Sequence, residues 1–228
     1  MKKKYLNYIL YVFTFFIVVY YALNLSGILV LYNNPTISNS PNLPEGSRSI
    51  GTNTITPKNG DFVCYNFNDE YSGKHIRVHR LVGLEGDTIQ IKKGVVFLNG
   101  KNFDKDLNLT HFYKTAKENL IQLKKSEVDL SSIIFEKIDN DTIKILLEDS
   151  FIKELSFEIH RFISDEDFIN QETKAIYNKP WNEDDFGPII IPKNKIFVLG
   201  DNRSYTIDSR TIGLINADEI VSVLIKTF

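Results

Sequence analysis

The chain has 228 residues, with 27 Lys and Arg against 29 Asp and Glu and a net charge of -2 at pH 7. That length holds one substantial domain or two small ones, and the near-neutral balance argues against a nucleic-acid partner, which would recruit an excess of cations. The single cysteine, Cys64, excludes an internal disulfide and lies in an apolar run that reads as a packed core thiol.

Lys2, Lys3 and Lys4 precede Tyr5 to Leu23, an apolar stretch broken only by Asn7 and Thr14. About 20 residues suffice to cross a hydrocarbon core as a helix. No small-x-small cleavage site follows, so residues 1–25 read as a retained transmembrane anchor rather than a removed leader. No Lys or Arg occurs again until Arg48, and this bias puts the N-terminus in the cytoplasm and the rest of the chain outside it.

Ser26 to Tyr32 predicts a short strand, and residues 33–60 are loop-forming in composition, rich in Pro, Asn, Ser, Thr and Gly. Strands are predicted over Asp61–Phe67 and Ile76–Val82, followed by a hairpin, Thr88–Ile91 and Val95–Leu98, around Lys92-Lys93-Gly94. Residues 102–185 are more charged, with scattered strand signals (Ser132–Phe135, Thr142–Leu147) and two candidate short helices, Leu109–Leu123 and Ser150–Phe162. The strand pattern resumes at Ile189–Ile191, Ile196–Leu199 and Ile220–Ile225. The expected class is mainly β: an antiparallel core in two parts, residues 26–101 and 186–228, interrupted by an inserted α+β subdomain, 102–185, behind one N-terminal transmembrane helix.

Three runs carry candidate chemistry: Ser38-Asn39-Ser40-Pro41-Asn42-Leu43-Pro44-Glu45-Gly46, His79-Arg80-Leu81-Val82-Gly83-Leu84-Glu85-Gly86-Asp87, and Gly200-Asp201-Asn202-Arg203-Ser204-Tyr205-Thr206-Ile207-Asp208-Ser209-Arg210. In this order, behind a membrane anchor, they resemble type I signal peptidase, the membrane-bound serine protease that removes leader peptides from exported proteins. The family pattern of Ser, Pro three on, Leu two further and Gly three after that selects Ser38, Pro41, Leu43 and Gly46, and Ser40 breaks the register. The resemblance therefore implies Ser38 as nucleophile and His79 as general base. Bacterial members usually carry Lys where this chain has His79, whereas the endoplasmic-reticulum branch carries His. Asn39 stands where the family usually has Met, and Glu85 where it usually has Pro.

The same resemblance implies that Thr36, with the Ser38 backbone N–H, forms the oxyanion hole. Thr206 or Asp208 would orient the His79 ring, with Asp201 a further candidate, or Asp208 would instead make a structural ion pair with Arg210. An imidazole starts near pKa 6.5, so the reading places a rise in activity inside about pH 5–8. No cofactor is implied. His75, His111 and His160 lack metal-ligand spacing, so no metal site is read, and no glycine-rich loop suggests a phosphate ligand. The implied partners are exported preproteins carrying signal peptides and the lipid bilayer of the bacterial inner (cytoplasmic) membrane, with the catalytic domain on the periplasmic or outer face.

Two other readings stand beside this one. A dedicated processing peptidase of a secretion or conjugation system would need Ser-x-Pro-x-Gly, and counting back from Pro44 and Gly46 puts Asn42, which has no nucleophilic oxygen, at that place. An inactive β domain that binds leader peptides or a membrane protein is suggested by the histidine and Asn39 departures.

Overall fold

The computed structural model describes residues 2–125 and 134–228. In chain order its elements are α1 (Lys2–Leu25), β1 (Val30–Asn33), β2 (Arg48–Thr52), β3 (Phe62–Asp69), β4 (Gly73–Gly83), β5 (Thr88–Lys92), β6 (Val95–Leu98), β7 (Lys101–Asn102) and β8 (Thr110–Ala116). There follow α2 (Leu120–Lys125), β9 (Phe135–Lys137), β10 (Thr142–Glu148), α3 (Asp149–Ile152), β11 (His160–Arg161) and α4 (Gln171–Tyr177). Last come β12 (Phe186–Ile190), β13 (Lys195–Leu199), α5 (Ser209–Ile212), β14 (Ile215–Asn216) and β15 (Ile220–Thr227). The protein is mainly β, and every paired strand is antiparallel to its neighbour.

The central sheet has seven strands in the order β1-β2-β15-β3-β4-β13-β14. Strands β3 and β4 form a long hairpin in unbroken register from Phe62↔Arg80 to Asp69↔Gly73. Alternation along these strands divides the core between two faces. Val63, Tyr65, Leu81, Ile196, Val198 and Val223 pack on one. Val82, Phe197 and Leu199 face the other, where they meet Ile89, Ile91, Val96 and Phe186 of the smaller sheet β12-β5-β6-β7. Each such side chain contributes roughly 1.5–3 kcal/mol when fully buried, which is why these strands read as apolar on both faces. The predicted hairpin is present, its turn made by Lys93 (φ 47°) and Gly94 (φ 72°), both left-handed as a two-residue turn requires.

The third sheet, β11-β8-β10-β9, lies within residues 102–185. Here both expected helices are corrected. Residues 110–116 pair with β10 over seven positions instead of coiling, because Thr110, Phe112, Tyr113 and Thr115 suit a half-buried strand, and helix begins only at Leu120. Of Ser150–Phe162 only one turn is helical. Phe151, Ile152, Leu155, Phe157 and Ile159 cover the sheet as an irregular segment against Tyr113, Leu123, Ile145 and Leu147. Half of the strand expected over Ser132–Phe135 lies outside the described residues, and its last residue, Phe135, begins β9.

Helix α1 is long and apolar enough to cross a membrane: Lys4–Leu25 has mean hydropathy 1.9 and none of it is buried. Its apolar side chains are exposed, so no surface among the described residues covers them. The link from α1 to β1 is short and tied. Leu29 N–H donates to Leu23 O, Asn53 N–H donates to Gly27 O, and Asn53 Nδ2 donates to Ser26 O. The strand expected over Ser26–Tyr32 is confined to Val30–Asn33, and Gly27 turns the chain with φ 75°.

Candidate active site

The segment carrying Ser38 runs between β1 and β2, and asparagine side chains fasten it. Asn34 Nδ2 donates to Leu43 O (2.6 Å) and Pro44 O (2.9 Å), closing the base of the loop. Asn39, 1% exposed, donates from Nδ2 to Val78 O at 2.7 Å, which ties the residue after Ser38 to the residue before His79. Asn42 Nδ2 donates to Asp201 Oδ2 at 2.7 Å, and Asn202 N–H donates to Ser38 O at 3.0 Å. The Met-to-Asn departure at position 39 thus has a structural consequence: the side chain is a buried strut between two motifs.

Ser38, Thr36, His79 and Thr206 line one cleft of about 810 Å³, together with Asn39, Arg77 and Tyr205. Thr36 Oγ1 donates to Ser38 Oγ at 3.2 Å. Among the described residues the Ser38 backbone N–H has no acceptor, which leaves it free for a ligand oxygen. His79 Nε2 lies 3.3 Å from Thr206 Oγ1. Ser38 and His79 share the cleft without a direct hydrogen bond between them.

His79 is 4% exposed. Burial, which penalises the imidazolium, is the main force on its pKa. The charge of Asp208 opposes it, Arg77 and Arg210 reinforce it, and the result is a pKa lowered from 6.5 to about 4. This moves the expected pH dependence. The neutral ring is already present throughout about pH 5–8, so an acid limb inside that window is replaced by one near 4. The same shift makes stability pH-dependent: between about 4 and 6.5 the unfolded ring binds a proton that the folded one refuses, so stability falls as pH drops through that window.

The two acids considered as ring-orienting groups are engaged elsewhere. Asp208 accepts from Arg210 Nε and Nη2, both at 2.9 Å, accepts from Gly200 N–H, and caps α5 through Arg210 N–H. It reaches His79 through its charge only. Asp201, fully buried, is held by Arg80 Nε at 2.7 Å and Nη2 at 2.5 Å. Arg203, itself buried, pairs with the half-buried Asp104 at 2.8 Å and adds a further tie to the same loop. Thr110 N–H donates to Asp201 O and Arg203 N–H to Thr110 O, so the β8 sheet is stapled to this loop as well.

One group at the ring was missed by sequence reasoning. Tyr65 Oη lies 2.8 Å from His79 Nδ1. The signal was available, since pairing the two predicted strands as a hairpin puts Tyr65 on the His79 face, but one sequence does not give the register. Among the described residues no group of three or more His, Cys, Asp or Glu is arranged to hold a metal.

A model of the family described as signal peptidase, peptidase S26, matches residues 6–227. Signal peptidase I P of Bacillus subtilis subsp. natto is 29% identical over 167 residues, 73% of this chain and 56% of that protein. Signal peptidase I of Buchnera aphidicola subsp. Baizongia pistaciae is 27% identical over 75% of this chain and 54% of that protein. Signal peptidase IB of Staphylococcus aureus strain Mu50 is 27% identical over 97% of this chain and 87% of that protein. The match to the first two spans little more than half of their length. A crystal structure of a signal peptidase I from Enterococcus faecalis V583 aligns at 16% identity with a TM-score of 0.35, covering 75% of this chain and 98% of that one.

Proposed function

The chain belongs to the signal peptidase, peptidase S26 family, and from that premise we propose that it is a membrane-anchored serine endopeptidase that removes leader peptides from exported preproteins. The observation that supports this most is the convergence of Ser38, Thr36, His79 and Thr206 on one cleft. Ser38 Oγ attacks the scissile carbonyl carbon while its proton passes to His79 Nε2. The oxyanion is met by the Thr36 hydroxyl and the free Ser38 N–H, each worth about 10²–10³ in rate. The imidazolium then returns the proton to the leaving amine, and water, activated the same way, releases the acyl group. Thr206 steadies Nε2 at the cleft. Asp208 and Arg210 form the structural pair that holds the third motif in place.

In this reading residues 1–25 span a bacterial inner membrane with the N-terminus cytoplasmic, residues 26–101 and 186–228 form the catalytic core, and 102–185 a subdomain that buttresses the loop at 200–205. The substrate's leader is itself a membrane-embedded apolar segment, so confinement to the same plane raises its effective concentration at the cleft. The test is cleavage of a panel of leader-bearing preproteins by the full chain in detergent. Release of mature proteins at one defined bond supports the proposal, and failure to cut any of a broad panel would favour the leader-binding reading.

Two outcomes follow from geometry already described. Cleavage measured as kcat/KM between about pH 3.5 and 8 is expected to rise through the limb near 4 and stay level above about 5 with respect to His79. A limb centred near 6.5 would mean that the ring is hydrated in the working enzyme. Gly200→Ala is expected to lower cleavage roughly 10²-fold, the cost of misplacing a reacting group by about 1 Å. A Cβ there would overlap Ser38 O and Thr206 Oγ1, so the nucleophile's backbone must shift. Wild-type rates from the folded variant would show that this contact is not needed.

A further inference from the structure

Resting on the Ser–His reading above, we infer that Tyr65 is the positioning residue of this site: its buried hydroxyl, in place of a carboxylate, accepts a hydrogen bond from His79 Nδ1–H and so keeps the lone pair on Nε2, where the Thr206 hydroxyl gives way to that of Ser38. Among the described residues the ring has two hydrogen-bond partners, and both are hydroxyls. Tyr65 Oη sits 2.8 Å from Nδ1 and Thr206 Oγ1 sits 3.3 Å from Nε2.

The placement follows from strand register. Val63 lies directly opposite His79 on the β3–β4 hairpin, so Tyr65, two residues along, is its diagonal neighbour on the same face. The phenol has no exposed surface and is packed in the cluster of Val63, Leu81, Ile196 and Val198. It therefore has little freedom to leave the ring. Its ring centroid lies 5.9 Å from that of His79.

The two nitrogens face different surroundings. Nε2 bonds to Thr206, which lines the cleft with Ser38, whereas Nδ1 bonds to Tyr65, which does not line it. Nε2 is thus the nitrogen that can meet a Ser38 proton. A neutral imidazole carries one N–H, so a working Nε2 requires that proton on Nδ1, and the Tyr65 oxygen is the acceptor in place there. Asp208 and Asp201 are tied to Arg210 and Arg80 and bond neither nitrogen.

Each tautomer leaves one hydroxyl hydrogen without a protein acceptor among the described residues, Tyr65's in one and Thr206's in the other, and catalysis selects the first. When Nε2 takes the Ser38 proton, both N–H groups of the imidazolium have an oxygen to donate to. The proton moves on from Nε2 to the leaving amine, and Tyr65 ends the cycle with the proton it began with. Burial raises the phenol's pKa, so it stays neutral and adds no charge to strengthen the base, in keeping with the weakly basic ring.

The test variant is Tyr65→Phe, which keeps the aromatic ring and removes only the hydroxyl. In the full chain in detergent, with a cleaved preprotein as substrate, kcat is expected to fall about 30- to 100-fold with KM unchanged, a part of what a general base supplies. The thermal midpoint reports whether the fold is kept. The decisive readout is 15N NMR of histidine-labelled protein, with the His79 signals identified by their loss in His79→Gln. Wild type is expected to show a protonated Nδ1 and an unprotonated Nε2, and Tyr65→Phe a mixture. Protonated Nε2 in wild type, or unchanged kcat in Tyr65→Phe, would overturn the inference. Ser38→Ala separates the two levels: if it still cleaves, the Ser–His reading falls and takes this inference with it. If Ser38→Ala is dead while Tyr65→Phe cuts at the wild-type rate, the positioning role alone falls.

Discussion

Ser38→Ala and His79→Ala are each expected to reduce preprotein cleavage by at least about 10⁴-fold, while Ser40→Ala keeps most of the activity. On the proposed mechanism, the size of the first two losses comes from removing the attacking oxygen or its proton acceptor. Neither loss is expected to add to the other, because the groups act in one step. Ser40 is the informative control, lying two residues away in the same loop and so able to expose a mistaken register. Its N–H donates to Ile37 O, and it does not line the cleft. A dead Ser40→Ala beside an active Ser38→Ala would move the nucleophile and with it the oxyanion assignment. Both Ala variants at Ser38 and Ser40 are conservative in volume, so folding is not the confounding issue.

Asp201→Ala is expected to destabilise the fold by roughly 3–5 kcal/mol, the cost of stranding a buried cation. Arg80 is 8% exposed and its Nε and Nη2 both bond Asp201. It also donates from Nη1 to Gly60 O and stacks 4.2 Å above the Phe62 ring, contacts that hold it beside Asp201. For a chain of this size the thermal midpoint should fall by roughly 6–20 °C. The paired replacement Arg80→Met with Asp201→Leu is expected to lose less than Asp201→Ala alone, since it removes the stranded charge together with the bond. A single variant as stable as wild type would mean that the pair is hydrated.

The strands were the readily legible part. The runs of β-branched and aromatic residues in β3, β4 and β13, and the Lys93-Gly94 turn, state their structure in the sequence. The segment from Leu109 was not legible, because its apolar residues fit a helical spacing as well as a strand, and only pairing with β10 decides between them. At the site, Ser38, His79, Thr36 and Thr206 were named through the order of motifs, which encodes proximity that no local pattern reveals. Their meeting in one cleft depends on pairings over 121 and 159 residues of chain, Arg80 with Asp201 and Asn42 with Asp201. Tyr65 and the strut made by Asn39 escaped notice for the converse reason: each lies in an apolar or loop context where its residue type is unremarkable, and its role appears only once register is fixed.

The tied link between α1 and β1 acts as a measuring device. Only four residues, 26–29, separate the helix from the first strand, and their bonds to Leu23 and Asn53 leave no slack. With α1 in a bilayer, the height of Ser38 above the lipid is then set by the fold and not by a floppy spacer. A preprotein would be cut where its chain reaches that height, so lengthening the stretch between its apolar segment and the scissile bond should shift the cut or slow it, whatever residues flank the bond.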